Sequence, residues 1–168
     1  ERSIVTDISG TTRDSIDTRY NQFGKEFIIT DTAGIRRKTK VHEDVEFYSV
    51  LRSINAIEKC DVVMLMIDAK LGLESQDINI LRIAQERNKG VVILVNKWDL
   101  VEKDTMTLKK YEEDLISKIQ PNSHIPVVFI SATDKTRIFK AIETAIEVYE
   151  HLTKRITTSA LNDAILPE

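Results

Sequence analysis

Three short polar clusters in the 168-residue chain carry side chains whose types and spacing could do chemistry: Asp31-Thr32-Ala33-Gly34-Ile35, Asn96-Lys97-Trp98-Asp99 and Ser131-Ala132-Thr133. A carboxylate such as Asp99 offers two oxygens and accepts a side-by-side pair of N–H donors. Lys97 combines a cation with an apolar stem that can lie along a flat surface, and Asn96 can both donate and accept to tie loops together. Gly34 has no side chain, so its backbone N–H is open to an anion. Any one cluster alone would read as a turn or helix cap, since Asp, Asn and Ser favour such places. Together, each directly after a strand-like segment, they are far more specific.

The elements that must position them follow from hydrophobic patterning. Ser15 to Phe23 and Glu26 to Thr30 read as two strands of a hairpin joined at Gly24-Lys25. Phe47, Val50, Leu51, Ile54 and Ile57 recur at helical spacing, which predicts an amphipathic helix over Glu43 to Lys59. Val62 to Ile67 and Val91 to Val95 are continuous apolar runs of strand length, the pattern of strands buried on both faces. Met64 and Met66 are accordingly expected in the core. Helices are expected over Ser75 to Lys89, with Ser75 as N-cap and Gly90 as the stop, and over Thr105 to Ile119. After Pro126 come a last strand, Val127 to Ile130, and a long helix, Lys135 to Leu152.

Apolar strands each followed by a helix imply right-handed βαβ units and a doubly wound, mostly parallel α/β sheet carrying one antiparallel hairpin strand. Ligands of such sheets lie beyond the carboxyl ends of the strands, here just after Thr30, Ile67, Val95 and Ile130.

Taken together, the clusters resemble those of the guanine-nucleotide-binding domains in the translation-factor class of P-loop GTPases. The resemblance extends from Ile4 to Leu152. It implies nucleotide contacts from Asp31, Thr32, Ala33, Gly34, Ile35, Asn96, Lys97, Trp98, Asp99, Ser131 and Ala132. Asp99 would accept from the ring N–H and exocyclic amine of guanine, a donor pair that adenine lacks. The backbone N–H of Ala132 would meet the guanine oxygen. The Trp98 ring itself reads better as a partly buried loop aromatic than as a base-stacking group.

The resemblance also implies a Mg²⁺ site. Asp31 would hold the ion through a water, and Thr12, in the switch-like Gly10-Thr11-Thr12-Arg13-Asp14, would supply a hydroxyl. A single carboxylate suffices for an ion that keeps several of its waters. Thr12, Gly34 and Ile35 are the implied catalytic positions.

Three longer strings narrow the match: Asp31 through Val41, the helix containing Ser49-Val50-Leu51-Arg52, and Asn96 through Leu100. They are similar to the second G domain of bacterial ribosome-assembly GTPases built from two tandem G domains and a C-terminal KH-like domain. The implied partners are GTP and GDP, ribosomal RNA and pre-ribosomal particles, and other domains of the same chain. A G domain over 1–155 is expected. Ile156 to Glu168 reads either as a linker with the first helix of the KH-like domain or as a frayed tail.

Two departures from the general GTPase pattern matter. Ile35 stands where many GTPases place a Gln that orients the attacking water. The resemblance implies the sub-group that dispenses with that Gln and commonly uses K⁺ beside the phosphates. Secondly, none of Gly10, Gly24, Gly34, Gly72 and Gly90 opens a Gly-x-x-x-x-Gly-Lys-[Ser/Thr] phosphate loop. In the family that loop lies just upstream of Glu1, and with it the first strand and first helix. The sequence looks cut at both ends, so residues 1–168 alone are expected to be inactive, with unpaired inner edges on the strands that flank the absent one.

Composition sets the outer bounds. With 24 Lys+Arg against 27 Asp+Glu the net charge is −3, with 42% hydrophobic and 30% charged residues. That is an ordinary globular chain of one domain, and its mild acidity speaks against bulk nucleic-acid binding, though not against a local basic patch. The basic run Arg36, Arg37, Lys38 and Lys40 is such a patch: a solvated loop, or a contact for RNA phosphate or a partner domain. One cysteine, Cys60, excludes an internal disulfide and reads as a small buried hydrophobe in a reducing, cytoplasmic setting. His42, His124 and His151 are unclustered. No apolar run approaches the ~20 residues that span a bilayer, and no signal peptide is visible, so no membrane association is expected. Two functions remain: a GTP-hydrolysing switch, or an inert G-like interaction module that docks without turnover.

Overall fold

A computed structural model describes residues 16–31, 54–102 and 107–165. The chain begins with a hairpin, β1 (Ile16–Gln22) and β2 (Lys25–Asp31), paired antiparallel from Ile16↔Asp31 to Gln22↔Lys25. Its two-residue turn is Phe23-Gly24, one place earlier than the sequence suggests. Both residues have positive φ, 56° and 69°. That is the twist that lets a two-residue turn match right-twisted strands, and Gly24 meets it without strain.

After a helical stretch over 54–59 the chain alternates: β3 (Val62–Asp68), α1 (Ser75–Glu86), β4 (Gly90–Asn96), α2 (Thr107–Lys118), β5 (Val127–Phe129), α3 (Ile138–Thr153) and α4 (Thr158–Ile165). β3, β4 and β5 form a parallel sheet in that order, with β4 central. All of β4 except Asn96 is buried because helices cover both of its faces. Val91, Ile93 and Val95 point into one cluster with Leu81 and Ala84 of α1 and Leu115 of α2. Val92 and Leu94 point the other way, into a second cluster with Val128, Ile130 and Ala141 of α3. The expected doubly wound α/β arrangement is present. Among the described residues no ladder joins β2 to β3. The hairpin instead leans on α3, through a Phe23–Phe139 ring contact at 6.1 Å and a Lys25–Glu150 ion pair.

Several expectations need correction. Met66 is not in the core: it is 48% exposed, because on that face of β3 only Val62 and Met64 are packed against the α3 cluster. The N-cap of α1 is Glu74, not Ser75; its N–H donates to the Asp77 carboxylate at 3.0 Å, which closes the first turn. Gly90 does not stop α1. Asn88 takes the left-handed turn at φ 54°, and Gly90 opens β4. α3 begins at Ile138, later than expected, because Lys135 and Arg137 have positive φ in a turn closed by Ser131 and Thr136.

Gly90 is glycine for lack of space: a Cβ there would stand 2.6 Å from Val148 Cγ1 and 3.1 Å from Val62 Cγ2. Val148 is β-branched and stiff, so α3 itself would have to shift. Gly90→Ala should therefore cost about 1–3 kcal/mol, the usual penalty of overpacking. Urea unfolding checks it, and an unchanged midpoint would show that α3 yields freely.

Candidate functional site

Parallel register brings the strand ends level. Asp68, the last residue of β3, pairs across the ladder with Asn96, the last of β4. On the other side the chain leaving β5 stays in step: Ile130 N–H donates to Val95 O at 2.8 Å and Trp98 N–H donates to Ile130 O at 3.1 Å. Residues 96–99 and 131–133 are thus neighbours by construction.

The Asn96 side chain joins them. Its Oδ1 accepts the Lys97 N–H at 2.8 Å and the Ala132 N–H at 3.0 Å. Two N–H donors aimed at one atom identify that atom as the amide oxygen. The amide nitrogen lies 3.5 Å from Met66 Sδ, a weak acceptor. Lys97 is held in the left-handed region, φ 62°, so the chain reverses sharply into the single helical turn Trp98–Leu100.

That turn sorts its side chains. Trp98 points inward, 9% exposed, with its ring 4.4 Å from Phe129 and 5.3 Å from Tyr111 between centroids. It belongs to the core beneath the site, and its ring is placed to brace the loop rather than to face a ligand. Asp99 points to solvent, and no described residue hydrogen-bonds or pairs with its carboxylate. Ser131 is buried; its Oγ accepts the Asp134 N–H at 3.2 Å, and its backbone exchanges hydrogen bonds with Thr136. The result is a rigid ledge with an exposed carboxylate and an exposed lysine.

One residue of this ledge is not singled out by the sequence motifs. Asp68 Oδ2 pairs with Lys97 Nζ at 2.7 Å, while Oδ1 accepts the Lys70 N–H at 2.9 Å. The hydrogen bond from Lys97, and next that from Lys70, hold this carboxyl below the usual carboxylate range. It is therefore charged throughout the neutral range. The signal was available, since Asp68 directly follows Ile67 at one of the four strand ends.

Asp31 ends β2 with an exposed side chain. Thr12, Thr32, Ala33, Gly34 and Ile35, the basic run Arg36 to Lys40, and His42 lie outside the described residues. Cys60 is half-buried with Sγ 3.4 Å from Ile57 O, and burial pushes its thiol up, away from nucleophile chemistry. Among the described residues no group of three or more His, Cys, Asp or Glu could hold a metal, and no helix is long and apolar enough to cross a membrane.

A parallel α/β sheet with Asn-Lys-x-Asp and Ser-Ala at its strand ends has the fold of the P-loop GTPases. Residues 1–97 match the family model for the 50S ribosome-binding GTPase, and the chain belongs to that family. It is similar to GTPase Der: 58% identical over 167 residues to the Der protein of Christiangramia forsetii and 56% to that of Amoebophilus asiaticus. These alignments cover 99% of this chain but only 38% and 39% of the relatives, so it spans less than half of their length. Solved structures agree on the fold. Era in complex with MgGDPNP and nucleotides 1506–1542 of 16S ribosomal RNA superposes with a TM-score of 0.67 at 23% identity, over 92% of this chain and 50% of that one. A probable GTP-binding protein engB gives 0.67 at 19%, over 85% and 87%.

Proposed function

We propose that the full-length protein is a cytoplasmic GTP-binding and GTP-hydrolysing switch in assembly of the large ribosomal subunit. The carrying observation is the Asn96 clip, which fixes the two loops and leaves Asp99 open at the ledge. An inert docking module has no physical need for such a preorganised carboxylate. In this reading the guanine edge donates to Asp99, the Lys97 stem lies along the base or ribose, and the Ala132 loop meets the guanine oxygen. The family match and the Der relatives support nucleotide turnover; the Era complex supports ribosomal RNA as a partner class.

Asp31 suits a Mg²⁺ ion: it is an exposed carboxylate at a strand end, the donor type suited to an ion that retains its waters. Thr12 would add a hydroxyl. Mg²⁺, when bound, neutralises charge on the phosphates. Thr12, Gly34 and Ile35 are the proposed catalytic segment, with Thr32 and Ala33 lining it. RNA and pre-ribosomal particles would be met through the basic run and through other domains of the chain. The G domain would end near Arg155: α3 closes at Thr153, and none of residues 151–165 is buried.

Base choice tests the reading. In the full-length protein Asp99→Asn should weaken GDP by roughly 10- to 150-fold, the worth of a charge-assisted pair at about 1.5–3 kcal/mol. The same variant should improve xanthosine diphosphate, whose edge carries an additional carbonyl. Unchanged GDP affinity in a calorimetric titration would remove Asp99 from the site. The cation is a separate test. An Ile at position 35 cannot hydrogen-bond water, so turnover should depend on K⁺, with Na⁺ a poor substitute. Equal rates in the two salts at matched ionic strength would contradict the K⁺ assignment.

A further inference from the structure

Asp68 lies outside the motifs, yet it holds the side chain of a motif residue. It is fixed three ways. Its backbone is paired in register with Asn96, its Oδ1 is bound to the Lys70 N–H at 2.9 Å, and its carbonyl accepts the Gly72 N–H at 2.8 Å. The neighbouring Ala69 N–H donates to Asn96 O at 2.9 Å, locking the ends of β3 and β4 together. The Asp68 side chain is only 14% exposed, whereas that of Lys97 is 54% exposed. A fixed carboxylate thus tethers the far end of a long, exposed side chain. Lys97 is held at both ends: its backbone by Asn96, its ammonium by Asp68 at 2.7 Å.

We propose that Asp68 is a positioning residue for nucleotide binding, holding the Lys97 stem across the ends of β3 and β4 as a ready-made platform for the purine. The inference rests on the guanine-nucleotide reading of the ledge and deepens it. A free lysine side chain carries large rotamer entropy, which ligand binding would have to remove. Anchoring the ammonium beforehand leaves less to remove, so the platform is paid for at folding rather than at binding. Asp68 touches no nucleotide and acts only through Lys97. Its effect must therefore vanish when the ammonium is absent.

A double-mutant cycle on the full-length protein decides this, with GDP as the titrant. Asp68→Asn keeps an oxygen for the Lys70 N–H and turns toward Lys97 an NH2, which carries no charge and cannot accept from the ammonium. It should raise the GDP Kd roughly two- to fivefold, the range of a partly exposed ion pair. Lys97→Met keeps an apolar stem without the ammonium, and adding Asp68→Asn to it should leave the GDP Kd where Lys97→Met put it. An unchanged Kd in Asp68→Asn alone, or an equal loss in both backgrounds, would overturn the proposal, because a purely structural aspartate would act regardless of Lys97. Titrating ADP against the unaltered protein separates the two levels. Equal binding of ADP and GDP would defeat the guanine reading itself. A GDP preference without Asp68–Lys97 coupling would defeat only the role of Asp68.

Discussion

One side-chain oxygen organises this site. Asn96 Oδ1 receives the Lys97 and Ala132 N–H groups together, and both loops depend on that shared acceptor. Beyond the single turn Trp98–Leu100 and the Ser131–Thr136 bridge, this oxygen is what ties the two loops to each other. Each such bond contributes only about 0.5–1.5 kcal/mol net, but losing the acceptor releases two backbone donors, and with them both loops, at once. Beneath them, Trp98 packed on Phe129 and Tyr111 fixes the height of the ledge. Asp99 then needs no partner of its own to be well placed, because the turn that carries it is held from both sides.

The clip works because the sheet delivers its parts in register. Parallel pairing sets Asp68 beside Asn96, and the Ile130–Val95 and Trp98–Ile130 hydrogen bonds carry the chain past β5 on the same level. β4 holds that register since both of its faces are buried, and a one-residue slip would turn each set of side chains into the wrong cluster. The close approach of α3 over Gly90 fixes the opposite end of the strand. Core packing at one end of β4 and polar geometry at the other are two halves of one constraint.

What the sequence made legible follows from how local each signal is. The apolar runs of β3 and β4, the hairpin, and the strand-end motifs Asn96-Lys97-Trp98-Asp99 and Ser131-Ala132 depend on neighbouring residues, and they were read in place. Asp68 was not: an acid after a strand is a common turn former, and only the fold shows its ion pair with Lys97, in the loop that follows β4. Met66 was misplaced for a similar reason. Its strand is uniformly apolar, but whether a face is covered depends on which distant helix reaches it, and Met66 stands 48% exposed. Ser75 and Gly90 looked like helix punctuation by residue type. The true cap uses Glu74 with Asp77, and the glycine answers to Val148 in α3. Thr12 and Thr32 to Ile35 lie outside the described residues, and their assignment to a switch rests on resemblance alone.

Whether the Asn96 clip builds the proposed guanine site is decided by removing its oxygen. In the full-length protein, Asn96→Ala should leave the cooperative unfolding of the domain intact while the Ala132 amide loses its protection from hydrogen exchange. GDP affinity should fall by about fivefold or more, because binding must then re-order loops that two bonds of about 0.5–1.5 kcal/mol each had held. Retained protection at Ala132 together with wild-type GDP affinity would show that the loops are held by something other than Asn96.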